Sequence, residues 1–92
     1  MANIQSAKKR IRQTQKRTLR NRQYRVTART YIKKARLLIA DGKLDEAEAV
    51  ANEAYKTLDK AARKNILHPR NAARRKGRLM AALVAARNAE AG

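Results

Sequence analysis

The sequence predicts an all-α fold: an up-down-up three-helix bundle whose first helix is long, basic and partly overhangs the other two. Three observations carry this expectation. Helix formers dominate, with 19 Ala and 24 Lys plus Arg against 3 Gly and 1 Pro. Apolar residues recur at steps of three and four. Helix-stopping signals fall at only two places, Asp41-Gly42 and the stretch from Asn65 to Pro69.

The first helix spans about Ser6 to Ala40, with Asn3 or Ser6 as candidate N-cap and Asp41-Gly42 as its stop. A heptad seam runs along it: Ile4, Ala7, Ile11, Thr14, Thr18, Asn21, Arg25, Ala28, Ile32, Ala35 and Ile39. The seam is polar from Thr14 to Arg25, so no uninterrupted coiled coil is expected. Tyr24 and Tyr31 fall on the core side of this helix, where packing is the simpler role. The second helix begins near Leu44, and Leu44, Ala47, Ala51, Ala54, Leu58 and Ala61 form its apolar face. Asp45, Glu46 and Glu48 occupy its first turns and Lys60, Arg63 and Lys64 its last, as the helix dipole favours. These acids and Glu53 are expected to face solvent. Asn65 suits a left-handed C-cap. Ile66, Leu67 and His68 form a short link, and Pro69 fits the first position of a third helix, where its missing N–H costs nothing. In that helix Ala72, Leu79, Leu83 and Ala86 make the buried face, while Gly77 sits in mid-helix.

Short connections imply antiparallel neighbours. A second helix folding back from Gly42 would place Leu44 beside Ile39 and Asn65 beside Thr18. About 15 residues of the first helix then lack a partner and overhang by about 20 Å, at 1.5 Å per residue. The chain is thus expected to be a single domain over 1–92, with an overhanging basic arm at 1–17 and a bundle at 18–90. Only 18 residues are Ile, Leu, Val or Met, so the core is expected to be thin and lined by Ala.

Composition excludes several function classes. There is no Cys, hence no disulfide, no thiolate zinc site and no cysteine nucleophile. That suits a reducing cytosol, and a cytoplasmic location is expected. Apolar runs are only a few residues long, too short to span a membrane. The basic amino terminus is not followed by the apolar stretch of a secretory signal. His68 is the only histidine and has no partner at ligand spacing, which leaves it a cap or loop contact rather than a metal or acid–base site. No Ser/His/Asp set, Gly-rich phosphate loop or carboxylate pair is visible. The chain is therefore not expected to be an enzyme, and neither cofactor nor metal is expected.

Charge is the dominant feature. A formal net charge of +17 on 92 residues repels itself and favours a polyanionic partner. Residues 1–40 hold 13 Lys or Arg and no acid, whereas residues 41–59 hold six of the seven acids. On the first helix Lys9, Arg12, Lys16 and Arg20 form one row, and Arg22, Arg25, Arg29, Lys33 and Arg36 form a second. At about 100° per residue the two rows lie on nearly opposite sides. Lys8, Arg10 and Arg17 add to the charge of the arm. On the third helix Arg70, Arg74 and Arg78 make a further row, flanked by Arg75 and Lys76. A merely solvated face would need one row opposite the core; two opposed rows suggest a helix lodged between two polyanionic surfaces. Arg, with its planar fork, suits bidentate phosphate contacts, and Gln13, Gln15, Asn21 and Gln23 supply neutral donors and acceptors. A DNA-compacting protein would need a groove-entering wedge or dimer symmetry, and neither shows; no homo-oligomer is expected. A membrane-active helix would need a stronger apolar stripe than Ile4, Ala7 and Ile11 provide.

Several stretches resemble a known family. ANIQSAKKRIR at the start, KRTLRNR at 16–22, and LDKAARKNILH followed by NAARRKGRL within 58–79 are similar to the S20 family of bacterial small-subunit ribosomal proteins, in order and spacing over nearly the whole chain. Members usually carry Gly where Asn65 stands, Lys-Asn where Pro69-Arg70 stand, and Ser where Gly77 stands. The resemblance implies a three-helix protein that binds small-subunit ribosomal RNA directly and early in assembly. It also implies that the long first helix lies between the 5′ domain and the long helix of the 3′ minor domain. RNA phosphates would then neutralise the two rows and order the arm.

Overall fold

Helix α1 runs without a break over Ala2–Ala40, α2 over Leu44–Arg63 and α3 over Pro69–Ala91, in a computed structural model that describes residues 2–91 and the side chains of residues 4–90. Met1 and Gly92, the ends of the expected domain, lie outside the described residues, as does any capping role of the Asn3 side chain. The first helix begins earlier than the expected Ser6, because nothing between Ala2 and Ser6 is a Gly or Pro that would stop it. Ser6 is an exposed position inside α1 rather than a cap.

Both stops form as left-handed caps. Gly42 has φ of +78° and Asn65 has φ of +59°. After α1, Lys43 N–H donates to the Leu38 carbonyl at 2.9 Å and Gly42 N–H to Ile39 at 3.1 Å. After α2, Ile66 N–H donates to Ala61 at 2.9 Å and Asn65 N–H to Ala62 at 3.1 Å. This paired pattern satisfies the last carbonyls of each helix and reverses the chain within a few residues. His68 opens α3: its Nδ1 accepts from Arg70 N–H at 3.2 Å and its carbonyl from Ala72 N–H at 3.1 Å. With Pro69 next, the N-terminal donors of α3 are partly met from one residue.

The core is stacked in three tiers. Ala28, Leu58 and Ala72 meet at the arm end, with Ile32, Ala62 and Leu67 against them. Ala35, Ala51, Ala54 and Leu79 form the middle, with Tyr31, Val50 and Tyr55 around them. Leu44, Ala47 and Leu83 close the turn end beside Leu38, Ile39 and Ala86. The order of these tiers along each helix makes α2 antiparallel to α1 and α3 parallel to it, the expected up-down-up course. All six expected residues of α2 are buried, as are Ala72, Leu79 and Leu83 of α3. Leu58 and Leu79 are the largest fully buried side chains; most other core positions are Ala, which lets the helix axes approach closely but adds little apolar area. Ile66 and Leu67 are more than a link. Ile66 is buried and Leu67 packs on the arm-end tier.

The helices register differently from the length estimate. Asn65 was expected beside Thr18, yet Lys64 Nζ lies 5.9 Å from the centre of the Tyr24 ring, and Arg25 reaches the Ile66 carbonyl. The offset does not arise at the first turn, where Leu44 packs beside Ile39 as expected; it accrues along the two helices, with Leu58 of α2 already level with Ala28 of α1. Every described residue from Ile4 to Arg20 is exposed, and Asn21 is the first that is partly covered. From Ala2 to Arg20 that is about 28 Å of helix, the main reason the molecule measures 72 × 22 × 13 Å.

Candidate nucleic-acid interface

The row Lys9, Arg12, Lys16 and Arg20 is exposed throughout, as are Lys8, Arg10 and Arg17. Its bundle-proximal end, Arg20, joins Gln23, Tyr24, Thr27, Thr57 and Lys60 around a groove of about 360 Å³ between α1 and α2. The other row, Arg22, Arg25, Arg29, Lys33 and Arg36, is exposed too, but it runs on the opposite flank, towards α3. There Arg29 and Arg36 line a cleft of about 260 Å³ with Arg74, Arg75 and Arg78, over Ile32. The rows therefore border the bundle-facing stripe of α1 on its two sides, one next to α2 and one next to α3.

Basic residues differ in how far they are committed to the protein itself. Lys76 turns to α2, where Nζ donates to Asp59 Oδ1 at 3.0 Å and Oδ2 at 3.3 Å. Arg25 donates to the Ile66 carbonyl at 3.2 Å. Arg87, which the charge rows did not include, donates to Glu48 at 2.6 Å and reaches Asp45 at 3.4 Å. Asp45, Glu46, Glu48 and Glu53 are exposed as expected, yet two of them also hold the end of α3. By contrast, Arg70 donates only its backbone N–H in the described contacts, and Arg74, Arg75 and Arg78 show no carboxylate partner among the described residues. Arg70, Arg74 and Arg78 are exposed, and Arg75 is partly covered.

From spacing alone, Lys60, Arg63 and Lys64 serve only as dipole partners of α2. The fold brings this end of α2 alongside α1, so that Lys60 lines the same groove as Arg20 and Lys64 covers Tyr24. The signal was present: after Asp59 the next acid is Glu90. Tyr24 and Tyr31 are half-buried, consistent with packing.

Among the described residues no three His, Asp or Glu side chains are placed to hold a metal ion, and no helix is long and apolar enough to cross a membrane. What the surface offers is cationic donors along two helix flanks, a geometry suited to phosphate oxygens.

The family model for ribosomal protein S20 matches residues 2–84. The chain belongs to the ribosomal protein S20 family. Among similar curated proteins, the small ribosomal subunit protein bS20 of Thermomicrobium roseum is 51% identical over 80 residues, covering 87% of this chain and 81% of that protein. That of Dehalococcoides mccartyi is 49% identical over 80 residues, covering 87% and 91%, and that of Coprothermobacter proteolyticus 48% over 80 residues, covering 87% and 91%. S20-family members are structural ribosomal proteins, so the family assigns this chain no catalysis. The match spans α1, α2 and most of α3, including both basic rows and the three arginines of α3 that lie nearest α1.

Proposed function

We propose that this S20-family chain is a structural constituent of the small ribosomal subunit in the cytoplasm. In this reading it binds small-subunit ribosomal RNA through phosphate contacts from α1 and α3, and bridges two RNA elements during assembly. The family resemblance suggests the 5′ domain and the 3′ minor domain as those elements. One observation carries the reading: α1 bears two exposed basic rows on separate flanks, without a single acid along its length. A helix so charged is stabilised by polyanions on both sides, and each neutralised phosphate releases condensed counterions. The free cations of α3 extend the second flank.

Footprinting on small-subunit RNA tests the bridge. Replacing Arg12, Lys16 and Arg20 by Gln is expected to expose one set of nucleotides, and replacing Arg22, Arg29 and Lys33 a different set. Gln keeps helix propensity near that of Lys and Arg. Each triple should also make the salt dependence shallower by up to about 2 to 3 in log–log slope, near one per lost phosphate contact. Identical footprints from both triples would end the bridging claim and leave a single diffuse cationic surface.

A further inference from the structure

The acids of α2 are distributed unevenly across the α3 surface. Asp59 pairs with Lys76, and Glu48 and Asp45 hold Arg87, so the seam between α2 and α3 is neutralised at both ends. Among the described residues the seam between α1 and α3 has no such partner. Arg29 and Arg36 from one side face Arg74, Arg75 and Arg78 from the other, and no carboxylate lines the cleft. Its remaining lining residue, Ile32, is apolar. Guanidinium groups gathered over an apolar floor repel one another more strongly than the same charges spread in water.

We infer that the α1–α3 cleft is a discrete phosphate site, which takes a phosphodiester segment of the RNA backbone as the counter-charge that this seam lacks. The inference rests on the RNA-binding reading and deepens it. The arginine fork donates to two phosphate oxygens at once in a fixed planar geometry, which a lysine ammonium, a point charge, does not impose. Arginines contributed by two helices make the bound phosphate a clasp between α1 and α3, whereas a row on one helix only tethers. The same charges weaken the free bundle, so binding and free stability oppose one another at these positions.

Thermal melts of the full chain test this without RNA, and gel shifts and backbone interference test it with RNA. In sodium chloride, the triple variant Arg29→Gln, Arg75→Gln, Arg78→Gln should melt at a higher temperature than the wild type. In inorganic phosphate at the same ionic strength the wild type should gain several degrees over chloride, and the triple should lose that gain. The corresponding triple Arg→Lys variant keeps the repulsion and the fold. It should show neither the higher melting temperature in chloride nor the full gain in phosphate. A control with Arg12→Gln and Lys16→Gln should retain the phosphate gain. With small-subunit RNA, the Gln triple should bind roughly tenfold or more weakly, the loss of one or more charge-assisted contacts. It should also lose interference from phosphate ethylation at one short contiguous run of nucleotides, which the control keeps. An equal phosphate gain in the Gln triple and the wild type, or an unchanged interference pattern, overturns the site. If the wild type fails to bind the RNA while the phosphate-specific gain maps to the cleft, the RNA-binding reading falls and the anion site stands. If RNA binds and an acidic peptide replaces phosphate in stabilising the seam, the phosphate assignment is wrong.

Discussion

The Arg25 guanidinium donates to the Ile66 carbonyl at 3.2 Å, joining the middle of α1 to the turn that follows α2. A residue on a basic row is thus spent on holding the bundle closed at the point where the arm departs. Arg25→Gln should lower stability by about 1 kcal/mol, the loss of one charge-assisted hydrogen bond to a partly covered carbonyl. Arg22→Gln, one turn earlier and exposed, should stay within about 0.5 kcal/mol. Urea unfolding followed by helical ellipticity separates the two, and equal effects would make Arg25 an ordinary surface charge.

Leu58 is fully buried in a core made otherwise largely of Ala. Leu58→Ala removes most of the large apolar surface of the arm-end tier, and about 2–5 kcal/mol of stability should go with it. In a domain this small that is a large share of the total. The variant should be substantially unfolded at 37 °C by circular dichroism, whereas Leu19→Ala on the exposed outer face of α1 should melt close to wild type.

Tyr55 gives an alkaline signature. Burial raises its pKa above the ordinary tyrosine value, and the neighbouring Glu48 carboxylate raises it further. The folded state therefore holds the phenolic proton more tightly than the unfolded chain. The resulting stability is fully present below the unfolded value of about 10 and is lost as pH rises through the folded value. The hydroxyl oxygen is buried without a hydrogen-bond partner, so Tyr55→Phe should cost nothing or stabilise slightly at neutral pH. Urea midpoints between pH 9 and 11 should fall less steeply in Tyr55→Phe than in the wild type; parallel curves would remove Tyr55 from the account.

The arm has no neighbour to shield it. From Ile4 to Arg20 every residue is exposed, and like charges spaced three and four apart oppose the helix. Amides of Lys9 to Lys16 are expected to exchange rapidly in the free protein and to be protected when RNA is bound. Moderate salt should raise the melting temperature of the free protein by screening its +17 charge, while the same salt weakens RNA binding steeply. Strong protection without RNA, or a melting temperature that falls with added salt, would count against this.

Much of the fold was legible in the chain because its causes are local. A helix face is set by the period of one segment, so Leu44 to Ala61 and Ala72 to Leu83 could be assigned to the core without knowing their neighbours. Gly42 and Asn65 are read as stops because a left-handed residue is a property of one position. The clustering of charge on α1, and with it the expectation of a polyanionic partner, follows from composition and order alone.

What the sequence left open depends on how two helices lie against each other. A helical wheel orients a side chain around its own axis but carries no information about which helix stands beside it, or at what height. Only the three-dimensional register brings Arg29 and Arg36 to the same cleft as Arg74, Arg75 and Arg78, and only it gives Lys76 to Asp59 and Arg87 to Glu48. From their spacing, these basic residues of α3 look equivalent. The tertiary structure sorts them by neighbour: those turned to α2 meet acids and are neutralised, and those turned to α1 meet more arginine and keep their charge for a partner.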